Sequence, residues 1–228
     1  YIKFCDGDDI LHPRATEIMM QALQESNTDL AICQCQETTI GSAMMDAPDA
    51  QLIEDKIAII ENPLEDVLTR ILGNPSCWMA TKQAVNKAGG CDPRVFVQDI
   101  SFLLRMSQQT SFIILPQTLM WWPVDAESRV SYLGNGAQIL HDLNMVQAYF
   151  IFDFPTVPNK LKKIALRRAA GRSWKWARRV GGKSIFSKYF FRYIKATLFP
   201  GIGDKAEQIE ATCDAFHMTT DNTTIRIM

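Results

Sequence analysis

The chain has 228 residues, 47% of them hydrophobic and 21% charged, which suits a packed domain of ordinary size and excludes a disordered polar chain. Its net charge of -1 conceals an asymmetry: of 24 Lys and Arg, 13 lie in residues 158–196, which hold no Asp or Glu, leaving 11 against all 25 acidic residues elsewhere. Six cysteines without a Cys-x-x-Cys pair, and three histidines, argue against a structural zinc site.

In chain order, residues 1–5 read as a short apolar strand that runs into Asp6-Gly7-Asp8-Asp9. Pro13 suits the first turn of a helix carrying Ile18, Met19, Ala22 and Leu23 at helical spacing. Residues 29–35 read as a second strand, with Cys33 and Cys35 as small core residues. Residues 41–55 lack a period and are expected to be a loop. Asn62-Pro63 opens a helix that closes near Gly73. The apolar stretch 77–80 follows, then a brief helix over 83–88 stopped by Gly89-Gly90. Residues 97–106 read as a helix, 111–115 and 118–122 as two strands, and 138–154 as a long apolar helix. The remainder is basic and helical up to Phe199, where Pro200-Gly201 ends it. Strands alternating with helices predict an α/β body with a mixed sheet over residues 1–155, and a basic helical extension over 156–228. No apolar run reaches membrane-spanning length and no leader precedes the first strand, so a reduced, cytoplasmic chain is expected.

Asp6 and Asp8 are two apart, so in an extended chain they face the same way. Paired carboxylates suit Mg²⁺ or Mn²⁺, which takes its other oxygens from water and substrate phosphates. Gly7 between them lets the backbone turn and a ligand approach. The bland alternative is a solvated acidic turn, with Asp9 or His12 serving the next helix terminus. A third reading is an Asp-x-Asp phosphatase with Asp6 as nucleophile; the Asp9-Ile10 that follows departs from that motif.

Gly89-Gly90-Cys91-Asp92-Pro93 forms a second constellation, with Gln98-Asp99 opening a helix that contains Leu103-Leu104-Arg105. Together with the strand and Asp6-Gly7-Asp8-Asp9, this order and spacing resembles family 2 inverting glycosyltransferases of the GT-A (Rossmann-like) type. The resemblance covers residues 1 to about 142 and includes the later Ile113-Ile114-Leu115-Pro116 and the run to Arg129 and Ser131. It implies a transferase that moves a sugar from a nucleotide-diphosphate sugar to a glycan or lipid-linked acceptor hydroxyl, with inversion, as in cell-envelope polysaccharide synthesis. It implies that Asp6, Asp8 and Asp9 lie at the donor, with Asp8 and Asp6 holding Mn²⁺ or Mg²⁺. Asp99 matches the catalytic base. Gln98 stands where the family often has Glu, which leaves one carboxylate. Gly89 and Gly90 are candidates for donor contact through backbone N–H groups, against a plain helix cap. Asp92 is expected to stabilise its turn. His141, before Asp142, is a lesser candidate, and Trp121 is a lesser candidate for stacking on a sugar. The family's usual chain begins with further strands that carry the nucleotide pocket. None precedes Tyr1, so the chain is expected to lack the first strands of its sheet, to bind donor weakly, and to expose a sheet edge. A non-catalytic remnant that binds membrane or glycan is the alternative.

Residues 158–196 interleave their basic side chains with Trp174, Trp176, Phe186, Tyr189, Phe190, Phe191 and Tyr193. Such a pattern suits a helix lying on an anionic membrane surface, which would place the chain at the inner face of the cell membrane. Packing on the acidic body is the alternative, and nucleic-acid binding the lesser one.

Overall fold

The computed structural model describes residues 1–39, 57–70, 72–124, 136–201 and 203–217. The expected loop 41–55, together with Arg129 and Ser131, lies outside them. The chain divides into two compact units, one comprising Tyr1–Gly90 and Arg105–Arg129, the other Cys91–Leu104 and Val130–Met228. The protein is mixed α/β, as expected, with one mixed sheet in the first unit.

Among the described residues that sheet comprises β1 (Ile2–Lys3), β2 (Ile10–Leu11), β3 (Leu30–Thr38), β4 (Ala58–Ile60), β5 (Trp78–Ala80) and β6 (Phe112–Pro123). The order is β1-β5-β3-β6-β2, with β4 also paired to β6. Only β3 and β6 run parallel; the other pairs are antiparallel. β3 and β6 hold the centre because they are the apolar strands: Leu30, Ala31, Phe112, Ile113, Leu115, Leu119 and Met120 are fully buried. Helix α1 (Ala15–Ser26) buries Ala15, Ile18, Met19, Ala22 and Leu23, the expected stripe plus Ala15. It ends at Asn27, whose left-handed backbone (φ 50°) terminates the helix. Helices α2 (Leu64–Thr69) and α3 (Lys82–Ala88) complete this unit, with the Thr81 side chain capping α3 by accepting from the Ala84 N–H.

Three expectations are corrected here. The two strands expected over 111–115 and 118–122 are one, β6 (Phe112–Pro123). Pro116 falls where the β3 register slips between Ile32–Ile114 and Gln34–Thr118, and where the other edge of β6 passes from β4 to β2. A proline has no N–H to offer a ladder, and a bulge between two partners is where one is tolerated. Pro13 lies before α1 and not in its first turn, since the helix starts at Ala15 after an Arg14 N-cap, and β2 stands between the acidic run and the helix. The basic segment is two helices, α6 (Asn159–Arg179) and α7 (Lys188–Leu198), interrupted around Gly182, whose φ is +60°.

The second unit contains most of α4 (Gln98–Met106), then α5 (Gly136–Asp153), α6, α7, α8 (Lys205–Glu210) and a 3-10 segment, Ala211–His217. Trp174, Ala177, Tyr189 and Ala215 form a buried cluster, with Phe190 and Tyr193 packed on it. The α6 aromatics therefore face inward rather than toward solvent. Arg172 on α6 is half-buried among neutral acceptors: it donates to Asn144 Oδ1 (2.7 Å), Gln147 Oε1 (2.9 Å) and the Leu143 carbonyl (3.2 Å). Burial, then the neighbouring charge of Arg168, pushes Arg172 down to about 10, so it remains a cation at neutral pH.

Candidate functional site

In the first unit, β1 and β2 pair at opposite sides of the sheet, so residues 4–9 cross its end. The crossing is pinned at several points. Phe4 N–H extends the β1 ladder by donating to the Trp78 carbonyl (3.2 Å). The Asp6 N–H donates to Ser76 Oγ (2.8 Å), and the Asp9 N–H closes a turn onto the Asp6 carbonyl (3.2 Å). Asn74 Nδ2 donates to Asp9 Oδ2 (3.2 Å), which holds Asp9 toward the protein while Asp6 and Asp8 are exposed. Beneath the loop, Lys3 donates to the Ser76 carbonyl (2.5 Å) and the Phe4 carbonyl (2.8 Å). Burial lowers the Lys3 pKa, against the opposing influence of Cys33, Cys5, Cys77 and Asp9.

Gly7 has no positive φ, and a Cβ placed on it would meet nothing within 4 Å, so the turn itself does not require glycine there. Among the described residues, no group of three or more His, Cys, Asp or Glu side chains is arranged to hold a metal ion. Two exposed carboxylates remain, a hard-oxygen donor set that fits an ion receiving its other ligands from phosphate and water.

Gly89 (φ 76°) and Gly90 (φ 67°) are both left-handed. Their N–H groups donate to Asn86 and Val85 carbonyls of α3, so the pair acts as a helix cap. Trp121 is 8% exposed, with its ring 6.1 Å from that of His12; it packs inside the first unit. His12 Nδ1 accepts the Arg14 N–H (3.0 Å), which orders the approach to α1, the role allowed for it by the bland reading.

In the second unit, the turn before α4 is heavily tied. Asp92, buried, accepts the Arg94 N–H (3.0 Å) and the Arg94 guanidinium, with closest approach 2.6 Å, while its own N–H donates to Ser101 Oγ (2.8 Å). Arg94 also pairs with Asp153 and lies 4.2 Å over the Tyr149 ring. Asp92 thus holds its turn, as expected. Asp142 Oδ2 accepts the Phe96 N–H (2.6 Å), and Asp142 Oδ1 meets His141 Nδ1 (2.7 Å). His141 is largely buried, edge-on to His217 at 5.8 Å. Burial raises the Asp142 pKa, but the hydrogen bonds with His141 and the Phe96 N–H outweigh it and leave the carboxyl below its ordinary value. This pair anchors the segment leading to α4.

Asp99 lies in the first turn of α4, half-buried, beside an exposed Gln98. The helix start alone predicts an ionised, weakened base. Burial instead raises the Asp99 pKa above the ordinary carboxylate value, against the lowering influence of the Ile100 and Asp99 N–H groups. Sequence reasoning also missed the thiol group formed by Cys33, Cys35 and Cys77 near Lys3. The signal that could reveal it is the strand register, which needs the pairing of β3 with β5.

No protein-family model matches this chain, and no curated protein matches it in sequence.

Proposed function

We propose that the chain carries the acidic loop and catalytic base of an inverting glycosyltransferase of the GT-A, family 2 type. The observation that carries this reading is Asp99. It is the only acid in the first turn of α4, it is half-buried there, and burial raises its pKa above the ordinary carboxylate value. In this reading the acceptor hydroxyl oxygen attacks the anomeric carbon of a nucleotide-diphosphate sugar, and its proton passes to Asp99. The bond from that carbon to the diphosphate oxygen breaks, and the electron pair leaves with the diphosphate. Asp92 and Asp142 hold the segment that presents Asp99, through Arg94 and the Phe96 N–H respectively. Asp8 and Asp6 would hold Mn²⁺ or Mg²⁺, and Asn74 restrains Asp9 beside them. When bound, that ion supplies Lewis-acid neutralisation of the leaving phosphate.

The experiment is a titration of the chain with Mn²⁺ and nucleoside diphosphates, alongside turnover of a panel of sugar nucleotides. The reading expects nucleotide binding that needs metal, is lost in Asp8→Ala and survives in Asp99→Asn, with turnover lost in both. Absence of metal-dependent nucleotide binding in the wild type overturns it. An acyl-phosphate trapped on Asp6 would turn the assignment to a phosphatase.

A further inference from the structure

Within the second unit, the segment from Lys183 to Phe199 presents large apolar side chains outward. Phe186 is 80% exposed, Phe199 63%, Leu198 62%, Phe191 58% and Ile185 54%. Their arrangement is ordered by α7. Tyr189 and Ala196 point inward to the cluster around Trp174 and Ala177, and the Ser187 side chain caps the helix by accepting from the Phe190 N–H. Lys188, Phe191, Lys195 and Leu198 are all exposed, and spacings of three, four and three residues put them on one face. A helix face turned to water ordinarily carries mostly polar side chains. This one alternates lysine with phenylalanine and leucine. Ile185 and Phe186 extend the apolar set into the turn before α7, beside Lys183.

We propose that residues 183–199 form a peripheral membrane-binding element that seats Ile185, Phe186, Phe191, Leu198 and Phe199 in the interface of an anionic bilayer. Charge selects this occupant. Residues 181–200 contain Lys183, Lys188, Arg192 and Lys195 and no acid. Lys188 and Arg192 share Asp214 (2.8 and 2.7 Å), so Lys183 and Lys195 carry most of the local positive field. Long lysine side chains can lie along the apolar surface and leave their ammonium groups at the phosphate level. The element lies in the interface plane: α7 has 11 residues, about 16 Å at 1.5 Å each, against a hydrocarbon layer of about 30 Å. Among the described residues no helix is long and apolar enough to cross a membrane. The inward packing of Trp174 moves the membrane contact from the whole basic segment to its second half.

The test is sedimentation of the full chain with phosphatidylcholine vesicles, with and without about 30% phosphatidylglycerol, in the absence of nucleotide. The expected result is binding to the anionic vesicles only. A Phe186→Ser, Phe191→Ser double variant should lower partitioning at least about tenfold, because each buried phenyl ring is a large part of the apolar contact. Its melting temperature should match the wild type, since both rings are exposed in the fold. Lys183→Glu with Lys195→Glu should weaken binding and flatten its salt dependence. Equal binding to neutral vesicles, or wild-type binding by the phenylalanine variant, overturns the proposal. So does preference for a single-stranded oligonucleotide over vesicles, or a dimer that the phenylalanine variant dissociates. Because no donor is present, failure here leaves the glycosyltransferase reading untouched.

Discussion

The Phe96 N–H donates to Asp142 Oδ2 at 2.6 Å, so the segment leading to Asp99 is positioned by a carboxylate 46 residues further along the chain. Asp142 is buried and receives His141 on its other oxygen. Asp142→Ala should therefore destabilise the protein by about 2–3 kcal/mol at neutral pH, the cost of leaving such donors unmet. The sign of its pH dependence follows from the lowered carboxyl value. A depressed folded-state pKa contributes stability that is present above the unfolded value of about 4 and is lost as pH falls below it toward the folded value. Urea unfolding at pH 7 and pH 3 checks this: the gap between wild type and Asp142→Ala should be wide at pH 7 and narrower at pH 3.

Arg94 bridges Asp92 and Asp153, but the two acids differ in burial. Asp92 has a side-chain exposure of 4%, Asp153 of 30%. Arg94→Ala leaves the Asp92 carboxylate buried without its cation and should cost about 2–4 kcal/mol. Asp153→Ala removes only a partly solvated partner and should cost about 1 kcal/mol or less. Equal losses in denaturant midpoints would mean that Asp92 is not held by this guanidinium.

Asp99 predicts a trade between stability and activity. Its raised pKa means that the fold disfavours the ionised carboxylate, chiefly through burial. A raised folded-state value costs stability as pH rises through the unfolded value. Asp99→Asn should then melt at or slightly above the wild-type temperature at pH 7, while sugar-nucleotide turnover falls by at least about a hundredfold, the usual scale of a lost general base. Wild-type turnover should drop on acidification, and at a higher pH than an unshifted carboxylate would give. A variant that is both inactive and strongly destabilised would make Asp99 a structural residue.

Local chemistry was legible in the sequence where it depends on neighbours along the chain. The α1 stripe, the left-handed Gly89-Gly90 cap and the Asp92 turn follow from residue type and short spacing, and the structure has all three. Pairing was not legible. Pro116 looks like a strand break until β4 and β2 are seen to share one edge of β6 on either side of it. Lys183 to Phe199 looks like a continuation of the basic helix, because inward and outward aromatics cannot be told apart before Trp174 and Tyr189 are found packed together. Asp99 is the sharpest case. The helix start was visible in the sequence and burial was not, and burial decides the direction of the shift.

Register also yields the last prediction. Leu30–Ala80, Ala31–Met79 and Ile32–Trp78 pair across antiparallel β3 and β5, and Cys33 and Cys77 adjoin the last of these pairs, Cys77 in the 3-10 turn that leads into β5. Both are buried, and each thiol shifts the pKa of the other. A disulfide between them needs Cα atoms about 4.4–6.8 Å apart. The Cys77 contact lowers the Cys33 thiol, burial opposes it and Lys3 assists it, while Cys77 is held above its ordinary value. With the exposed Cys5 and Cys91 replaced by serine, diamide should remove two electrons and two protons from one thiol pair, and peptide mapping should find the Cys33–Cys77 bond. Closing the intervening loop should raise unfolding free energy by about 3–4 kcal/mol in the chain-entropy account. A Cys35–Cys77 bond would make Cys35, which also lies beside Cys77, the partner in place of Cys33, and no bond at all would mean that neither thiol reaches Cys77.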